Sequence, residues 1–383
     1  MKIEVVSSID DIRKADWDAC AKSSGTSFNP FISHDFLSAL EKSDSATRKT
    51  GWLGQHLAVK DDVGAVLGVA PAYLKSHSMG EYVFDHAWAD AFQRAGGDYY
   101  PKLQTAVPFT PVTGPRLLAP TVELRALLLS GLRQLATERQ ASSVHVTFLP
   151  EEDWNALGQA PWLKRTDTQF HWFNQDYATF DAFLADLSSR KRKNIRKERD
   201  SVRAAGIACE WVTGAEITEA HWDAFFDFYM DTGSRKWGSP YLTRRFFSLI
   251  GQSMADHILL VFAKRRGRIV AGALNFIGSD ALYGRNWGAL EHHQNLHFEA
   301  CYYQAIEFAI ARKLSRVEAG AQGPHKLARG YLPKSTYSLH YLAHPGLARA
   351  VADYLDHERE AVAEDQSALA EHAPFRNAGE EDF

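Results

Sequence analysis

The stretch VEAGAQGPHKLARGYLP, from Val317 to Pro333, holds the densest set of groups able to do chemistry. Glu318 closes an expected strand, glycines and small residues follow, and His325, Lys326 and Arg329 then fall within five positions. Polar side chains converging on a glycine-bearing loop at a strand end are where binding and catalysis concentrate. An amine must lose a proton to attack an ester or thioester, so Glu318 or His325 could serve as general base. Lys326 and Arg329 could hold a phosphate or carboxylate. The structural alternative is an Arg329–Glu318 pair that merely ties the loop down.

Arg285 stands in LYGRNWGAL two residues before Trp287, so strand alternation would place both on one sheet face. An arginine beside a tryptophan is costly unless paired. Its partner is either a substrate carboxylate or phosphate, or an internal acid such as Glu318. The corresponding stretch of the first half carries Asp85, Trp88 and Asp90, acids that could orient an amine or cap a turn. In AVPFTPVTGPRLL, Thr113, Gly114 and Arg116 precede a helical pattern. Gly114 could allow close backbone approach and Arg116 could pair with an anion. The alternative there is a proline-rich loop sealing a sheet edge.

Arg190 to Arg199 reads RKRKNIRKER: seven basic residues against Glu198 alone, in a chain of formal net charge −4. On a helical wheel Leu184, Leu187, Ile195 and Val202 share one arc and the rest of the circumference is mostly Arg and Lys, unless Ser188 or Ser189 opens a separate helix. Such a face meets polyanions, yet it carries no aromatic residue for stacking bases. A large polyanion such as tRNA, an anionic membrane surface, and a solvated or internally paired helix all remain open.

Several chemistries lack their signatures. His292, His293 and His297 do not have the H-E-x-x-H spacing, no G-x-S-x-G elbow occurs, and neither a Walker A loop nor a G-x-G-x-x-G fingerprint is present. No metal or redox cofactor is implied. Cys20, Cys209 and Cys301 are too few and too scattered for a disulfide framework, and Cys301 shares a helical face with Phe298, Ala305 and Phe308. The N-terminus shows no signal-peptide pattern and no apolar run is long enough to span a bilayer, so a cytoplasmic protein is expected. The acidic end after about residue 363 reads as a helix fading into a mobile tail.

The elements that must position these groups recur twice, at an offset near 200 residues. ADWDAC and FISHDFLSAL answer to AHWDAF and YLTRRFFSLI, pairing Trp17 with Trp222 and Phe36 with Phe246. QHLAVKDDVGAVLGVAPAYLKSHSMGEYVFDHAWAD runs beside ILLVFAKRRGRIVAGALNFIGSDALYGRNWGAL, so Gly68 meets Gly272, Tyr82 meets Tyr283 and Trp88 meets Trp287. Each block reads as a three-stranded antiparallel meander, followed by a helix and a short strand. The first half carries an extra insertion, roughly Ala91 to Leu118. The expected class is α+β: a first domain over residues 1–165, a second over 166–345 opened by the basic helix, and a C-terminal helix and acidic tail over 346–383.

This order resembles the GNAT superfamily acyltransferase fold. Doubled and with a basic helix opening the second copy, it resembles the Fem-type aminoacyltransferases of peptidoglycan synthesis. NPFISHDFLSALEKS, AVPFTPVTGPRLL, SSRKRKNIRKERD, LHFEACYYQAIEFA and VEAGAQGPHKLARGYLP carry the likeness to a bacterial Fem-like group usually described as predicted N-acyltransferases. The resemblance implies two tandem GNAT-like domains, each a mixed, mostly antiparallel sheet flanked by helices. It implies an acyl or aminoacyl donor, acyl-CoA or aminoacyl-tRNA, and an amine acceptor such as a cell-wall precursor or small metabolite, with no obligate protein partner. On this reading Glu318 or His325 is the base. Arg285, Trp287, Lys326, Arg329 and Asp90 bind substrate, and Thr113, Gly114 and Arg116 bind the donor phosphate. The sequence departs from the GNAT pattern Q/R-x-x-G-x-G/A in both halves: LEHHQNLHFEA has no glycine at all. That departure favours the competing class, a non-catalytic binding module with a degenerate GNAT cleft.

Overall fold

The computed structural model describes residues 1–24, 27–237, 240–320 and 323–376. The final residues of the acidic tail, and Ala321 and Gln322 of the Glu318–Arg329 loop, lie outside the described residues. The chain forms two compact units. Unit 1 comprises Met1–Asp167, Tyr241–Leu249 and Ser335–Ala363, and unit 2 comprises Thr168–Pro240, Ile250–Lys334 and the chain from Glu364 on.

Unit 1 begins with β1 (Lys2–Val6), α1 (Lys14–Ser23) and α2 (His34–Lys42), then β2 (Trp52–Gly54), β3 (His56–Lys60), β4 (Val66–Ala70) and β5 (Tyr73–Lys75). Next come α3 (His86–Arg94), β6 (Lys102–Thr105), α4 (Val122–Glu138), β7 (Ser143–Leu149), α5 (Glu151–Leu157) and the start of β8 (Leu163–Phe173). Capping sets two of these starts: Ser33 accepts from the Phe36 amide and Thr121 from the Leu124 amide. The leucines of α4 that face inward, Leu128, Leu132 and Leu135, are buried against Leu103, Val144 and Val146 of the sheet below. β6 and β7 pair in parallel, a pairing that needs a crossover connection, which α4 supplies.

The other side chains of those strands present a different surface. Lys75 lies directly opposite Lys102, Tyr73 opposite Gln104, Gln104 opposite His145, and His145 opposite His340. All six are buried. One face of this sheet is therefore apolar under α4 and the other is polar yet shut away from water.

Unit 2 takes up the remainder of β8 and continues through α6 (Phe180–Asp186), α7 (Ser189–Ala204), β9 (Ile207–Thr213), α8 (Glu219–Trp237), β10 (Ile258–Arg265), β11 (Arg268–Ile277) and β12 (Ala281–Ala289), while α9 (Arg244–Ser253) lies mostly in unit 1. The next helix starts as α10 (Leu296–Phe298), widens into a π-turn over Glu299–Tyr303 and resumes as α11 (Gln304–Ala311). β13 (Arg316–Glu318) and a 3-10 turn over Pro324–Arg329 follow, and the chain then leaves for unit 1, which holds most of β14 (Leu332–Leu342) and of α12 (Pro345–Glu371). The unit's strands lie in the order β8-β13-β12-β11-β10-β9. β12 and β13 are the parallel pair here, again joined through a helix. The β10–β11 hairpin turns on Arg266 and Gly267, both at positive φ, as a right-twisted two-residue turn requires. Its core gathers Leu259, Val261, Leu282, Ile306, Phe308 and Val317.

The second half forms the expected meander, and the first half does not. β3 pairs with β4 and β1 in a separate three-stranded sheet, while β5 pairs with β2 and β6. No strand forms over Tyr82 to Trp88. Tyr82 is in an exposed loop at φ 60, and HAWADAFQR coils into α3 because Trp88, Ala89 and Phe92 follow a helical spacing. Asp85, Trp88 and Asp90 therefore share no sheet face: Asp85 precedes α3, Trp88 is buried beneath it, and Asp90 is exposed on it. The basic segment breaks at Ser188, so α6 and α7 are separate helices, and Leu184, Leu187, Ile195 and Val202 are all buried.

Candidate functional site

In unit 2, β13 delivers Glu318 to the sheet end opposite His171 of β8. Glu318 is buried. Its Oε1 accepts from Arg316 Nε at 2.9 Å, and Arg316 also holds Asp280. Its Oε2 is 3.8 Å from His171 Nε2 and has no hydrogen-bond partner among the described residues. Burial lowers the pKa of His171 while the Glu318 carboxylate opposes that shift, and the charge of Lys326 is felt there too. The Glu318–Arg329 pairing weighed above does not form.

Lys326 is buried and donates to Gly320 O at 3.0 Å. Burial pulls its ammonium down to about 8, with Cys301 close enough to oppose the shift. His325 is half-buried, its Nε2 3.0 Å from Tyr302 Oη, and its pKa is lowered by burial and by Arg329 and Lys326. Phe298 and Tyr302 pack against the His325 ring. Both aromatics, and Tyr303, come from the π-turn or its edge, a geometry often found at functional sites.

Arg329 is buried and fully engaged. It donates from Nη2 to both oxygens of Glu198, from Nε to Tyr303 Oη and from Nη1 to His325 O, and its guanidinium lies 3.4 Å above the Phe298 ring. Tyr303 in turn donates to Glu198. The sequence read Glu198 as a minority charge in a basic run, and nothing local marks it as the partner of a residue 131 positions away. His171 and the tyrosines of the π-turn escaped notice for the same reason, since strand neighbours and helix defects are not visible in a local pattern.

Arg285 and Trp287 lie on β12, away from the loop in sequence. Arg285 is the extra residue of a bulge, because Leu274 pairs with Asn286 and Asn275 with Gly284. The bulge interrupts the alternation on which a shared face depended. Trp287 packs edge-on to His297, which lies 6.4 Å, centroid to centroid, from His325.

The remaining candidates, Asp90, Thr113, Gly114 and Arg116, belong to unit 1. Arg116 is fully buried and donates to Val112 O and Gly114 O of its own loop, so the expectation of an arginine free to meet a pyrophosphate is corrected. A proline-interrupted loop leaves carbonyls without amide partners, and Arg116 satisfies them. At Gly114 the close neighbour is Asn29, whose Nδ2 lies 2.6 Å from where a Cβ would stand. Thr113 Oγ1 is buried without a partner among the described residues.

The basic helix splits into two faces. Arg199 turns inward and binds Glu299 and Glu307 with two donors each, and Glu198 takes Arg329. Arg190, Lys193, Arg196 and Lys197 are exposed. Among the described residues no helix is long and apolar enough to cross a membrane, and no group of three or more His, Cys, Asp or Glu is placed to hold a metal ion.

Two α+β units, each with a parallel strand pair bridged by a helix, define a tandem GNAT-like fold of the Fem type. The chain belongs to the FemAB-like family, described as peptidoglycan biosynthesis/recognition, whose model matches residues 8–377. It is similar in structure to FemX, with a TM-score of 0.56, 13% identity, and coverage of 92% of this chain and 100% of that one. It is similar also to L-PGS from Bacillus licheniformis, with a TM-score of 0.55, 9% identity, and coverage of 90% and 97%. A conserved protein of unknown function from Bacteroides thetaiotaomicron VPI-5482 superposes with a TM-score of 0.52 at 12% identity, covering 88% and 99%. At these identities the likeness is one of fold. No curated protein matches the chain.

Proposed function

We propose that this chain is an N-acyltransferase whose chemistry is done in unit 2, at the end of β13 and on the loop that carries His325, Lys326 and Arg329. The observation that carries the reading is Glu318: a buried carboxylate with one oxygen on Arg316 and the other without a hydrogen bond among the described residues. A buried acceptor left open costs about 1–3 kcal/mol, and the N–H of an acceptor amine would supply the missing donor. In this reading Glu318 takes the amine proton as nitrogen attacks the acyl carbonyl. The C–N bond forms, the tetrahedral oxyanion is stabilised by the Lys326 ammonium, and the donor's oxygen or sulfur leaves. His325, its pKa lowered, is the alternative base, with Tyr302 holding its ring. Arg329 supports the loop and does not bind substrate, because each of its nitrogens is engaged.

The donor reading rests on α7. The exposed cations Arg190, Lys193, Arg196 and Lys197 favour a polyanionic donor such as an aminoacyl-tRNA, while the engagement of Arg116 removes support for a CoA pyrophosphate at that loop. Acceptors in keeping with the family are amine-bearing peptidoglycan precursors. The test is transfer of labelled aminoacyl groups from charged tRNA, and of acetyl and longer acyl groups from CoA, to amine acceptors, with wild type, Glu318→Gln and His325→Gln. Loss of about 100-fold or more in kcat for Glu318→Gln, with folding intact, fits the assigned base. Full activity of both variants would remove both bases from the mechanism. No transfer from any donor would favour a binding module.

A further inference from the structure

β8 and β13 run antiparallel with His171 directly opposite Glu318, and strand alternation puts Gln169 on the same sheet face two residues away. All three are buried. His171 Nε2 is 3.3 Å from Gln169 Oε1 and 3.8 Å from Glu318 Oε2. An amide oxygen and a carboxylate oxygen only accept, so Nε2 carries the ring proton. Burial above all lowers the pKa of the ring, Arg316, Lys334 and Lys326 add to the shift and Glu318 opposes it, so the imidazole is neutral with Nδ1 bare.

Glu318 needs that proton nearby. One cation, Arg316, serves two carboxylates: its Nε donates to Glu318 Oε1 at 2.9 Å and its Nη1 to Asp280 Oδ2. Lys326 spends a proton on Gly320 O, and burial weakens its charge. Tyr283 pairs with Glu318 from β12, and burial together with the Glu318 charge keeps its phenol protonated. A buried carboxylate with only a share in one arginine takes up a proton in place of staying charged, and a protonated Glu318 is no base. The His171 N–H stands about 1 Å beyond ordinary hydrogen-bond length from Oε2, near enough to stabilise the charge and far enough to leave that oxygen to an incoming amine.

We propose that His171 is a positioning residue of the acyl-transfer site: its Nε2–H, held between Gln169 and Glu318, keeps Glu318 a carboxylate with Oε2 open to the acceptor amine. This role rests on Glu318 being the base and names the group on which that function depends. As Oε2 takes the amine proton and becomes a donor, the His171 N–H turns wholly to Gln169. As that proton passes to the departing oxygen or sulfur, the charge returns and the N–H swings back, and the imidazole itself gains and loses no proton.

Infrared titration of the full chain reads the ionisation of Glu318, as the carboxyl C=O band that appears on acidification of wild type and is missing in Glu318→Gln. His171→Leu, which removes the N–H, should move the midpoint of that band up by about one pH unit or more. Gln169→Leu, which removes the competing acceptor, should move it down. The acid limb of kcat/KM for transfer should follow the band with KM for the acyl donor unchanged, and His171→Gln, which keeps an N–H donor, should restore much of the wild-type profile. A purely structural His171 would lower Tm and leave the midpoint in place. An unmoved midpoint in folded His171→Leu overturns the proposal, and so does a Gln169→Leu shift in the upward direction; should His171→Leu not fold, the sign of the Gln169→Leu shift decides alone. A midpoint that moves while transfer is indifferent to Glu318→Gln overturns the reading of Glu318 as base, and with it the catalytic part of His171.

Discussion

Arg329 donates from Nη2 to both carboxylate oxygens of Glu198 at 2.8 Å, joining the loop beside His325 and Lys326 to the inner face of the basic helix. The pair is mostly buried and is braced by Tyr303. A helix whose outer face is cationic is thereby fixed to the loop by Glu198.

Glu198→Ala should cost about 2 kcal/mol or more, because it leaves a buried guanidinium without its anion. Urea unfolding measures the loss. Binding of tRNA to the outer face should hold or strengthen, since the substitution removes a negative charge. Weaker tRNA binding in a folded variant would mean that α7 meets no polyanion there.

The two arginines Arg199 and Arg196 should behave oppositely, although both belong to one basic run. Arg199→Ala strands buried Glu299 and should destabilise by about 3–5 kcal/mol. Arg196, 56% exposed against an 81% exposed Asp181, should be near neutral for stability. Reversing Arg190, Lys193, Arg196 and Lys197 together should abolish salt-sensitive tRNA binding; each lost phosphate contact lowers the slope of log K against log salt by about 0.9. A slope unchanged by the four reversals would place tRNA elsewhere or nowhere.

Lys326 gives stability a pH dependence of defined sign. Its folded pKa, about 8, is below its unfolded value, so the unfolded chain binds more protons between that pKa and the ordinary lysine value. Stability from this residue therefore rises with pH across roughly 8 to 10.5, and the burial penalty is fully present below that window, at most about 3 kcal/mol. Lys326→Met should be more stable than wild type at pH 7, with the difference shrinking toward pH 10.5. A constant difference would show that Lys326 titrates normally.

Gly288 on β12 has no room for a side chain: a Cβ there would stand 2.2 Å from Phe228 O of α8. Gly288→Ala should push α8 off the sheet at a cost of about 2–3 kcal/mol, read as a fall in the urea midpoint. An unchanged midpoint would mean that α8 yields freely.

What was legible in the sequence is what neighbouring residues decide. The apolar spacing of α4, the Arg266–Gly267 turn and the second-half meander all follow from spacing and local conformational preference, which act over a few residues, whereas a break at Ser188 was left open. The family resemblance rests on the same ordered signals. The first-half meander failed where local pattern was thin: Tyr82 to Trp88 can be aligned with strand β12, yet the helical spacing of Trp88, Ala89 and Phe92 won.

Partnership among charges was decided only by tertiary structure. The sequence contains Glu198, Glu318, Arg316 and Arg329 but does not say that the first takes Arg329 and the second takes Arg316. It shows Lys75 and Lys102 27 positions apart without showing them opposed on adjacent strands. Burying a charge is affordable only beside a specific opposite charge, and that neighbour is chosen by strand register and helix packing between distant segments.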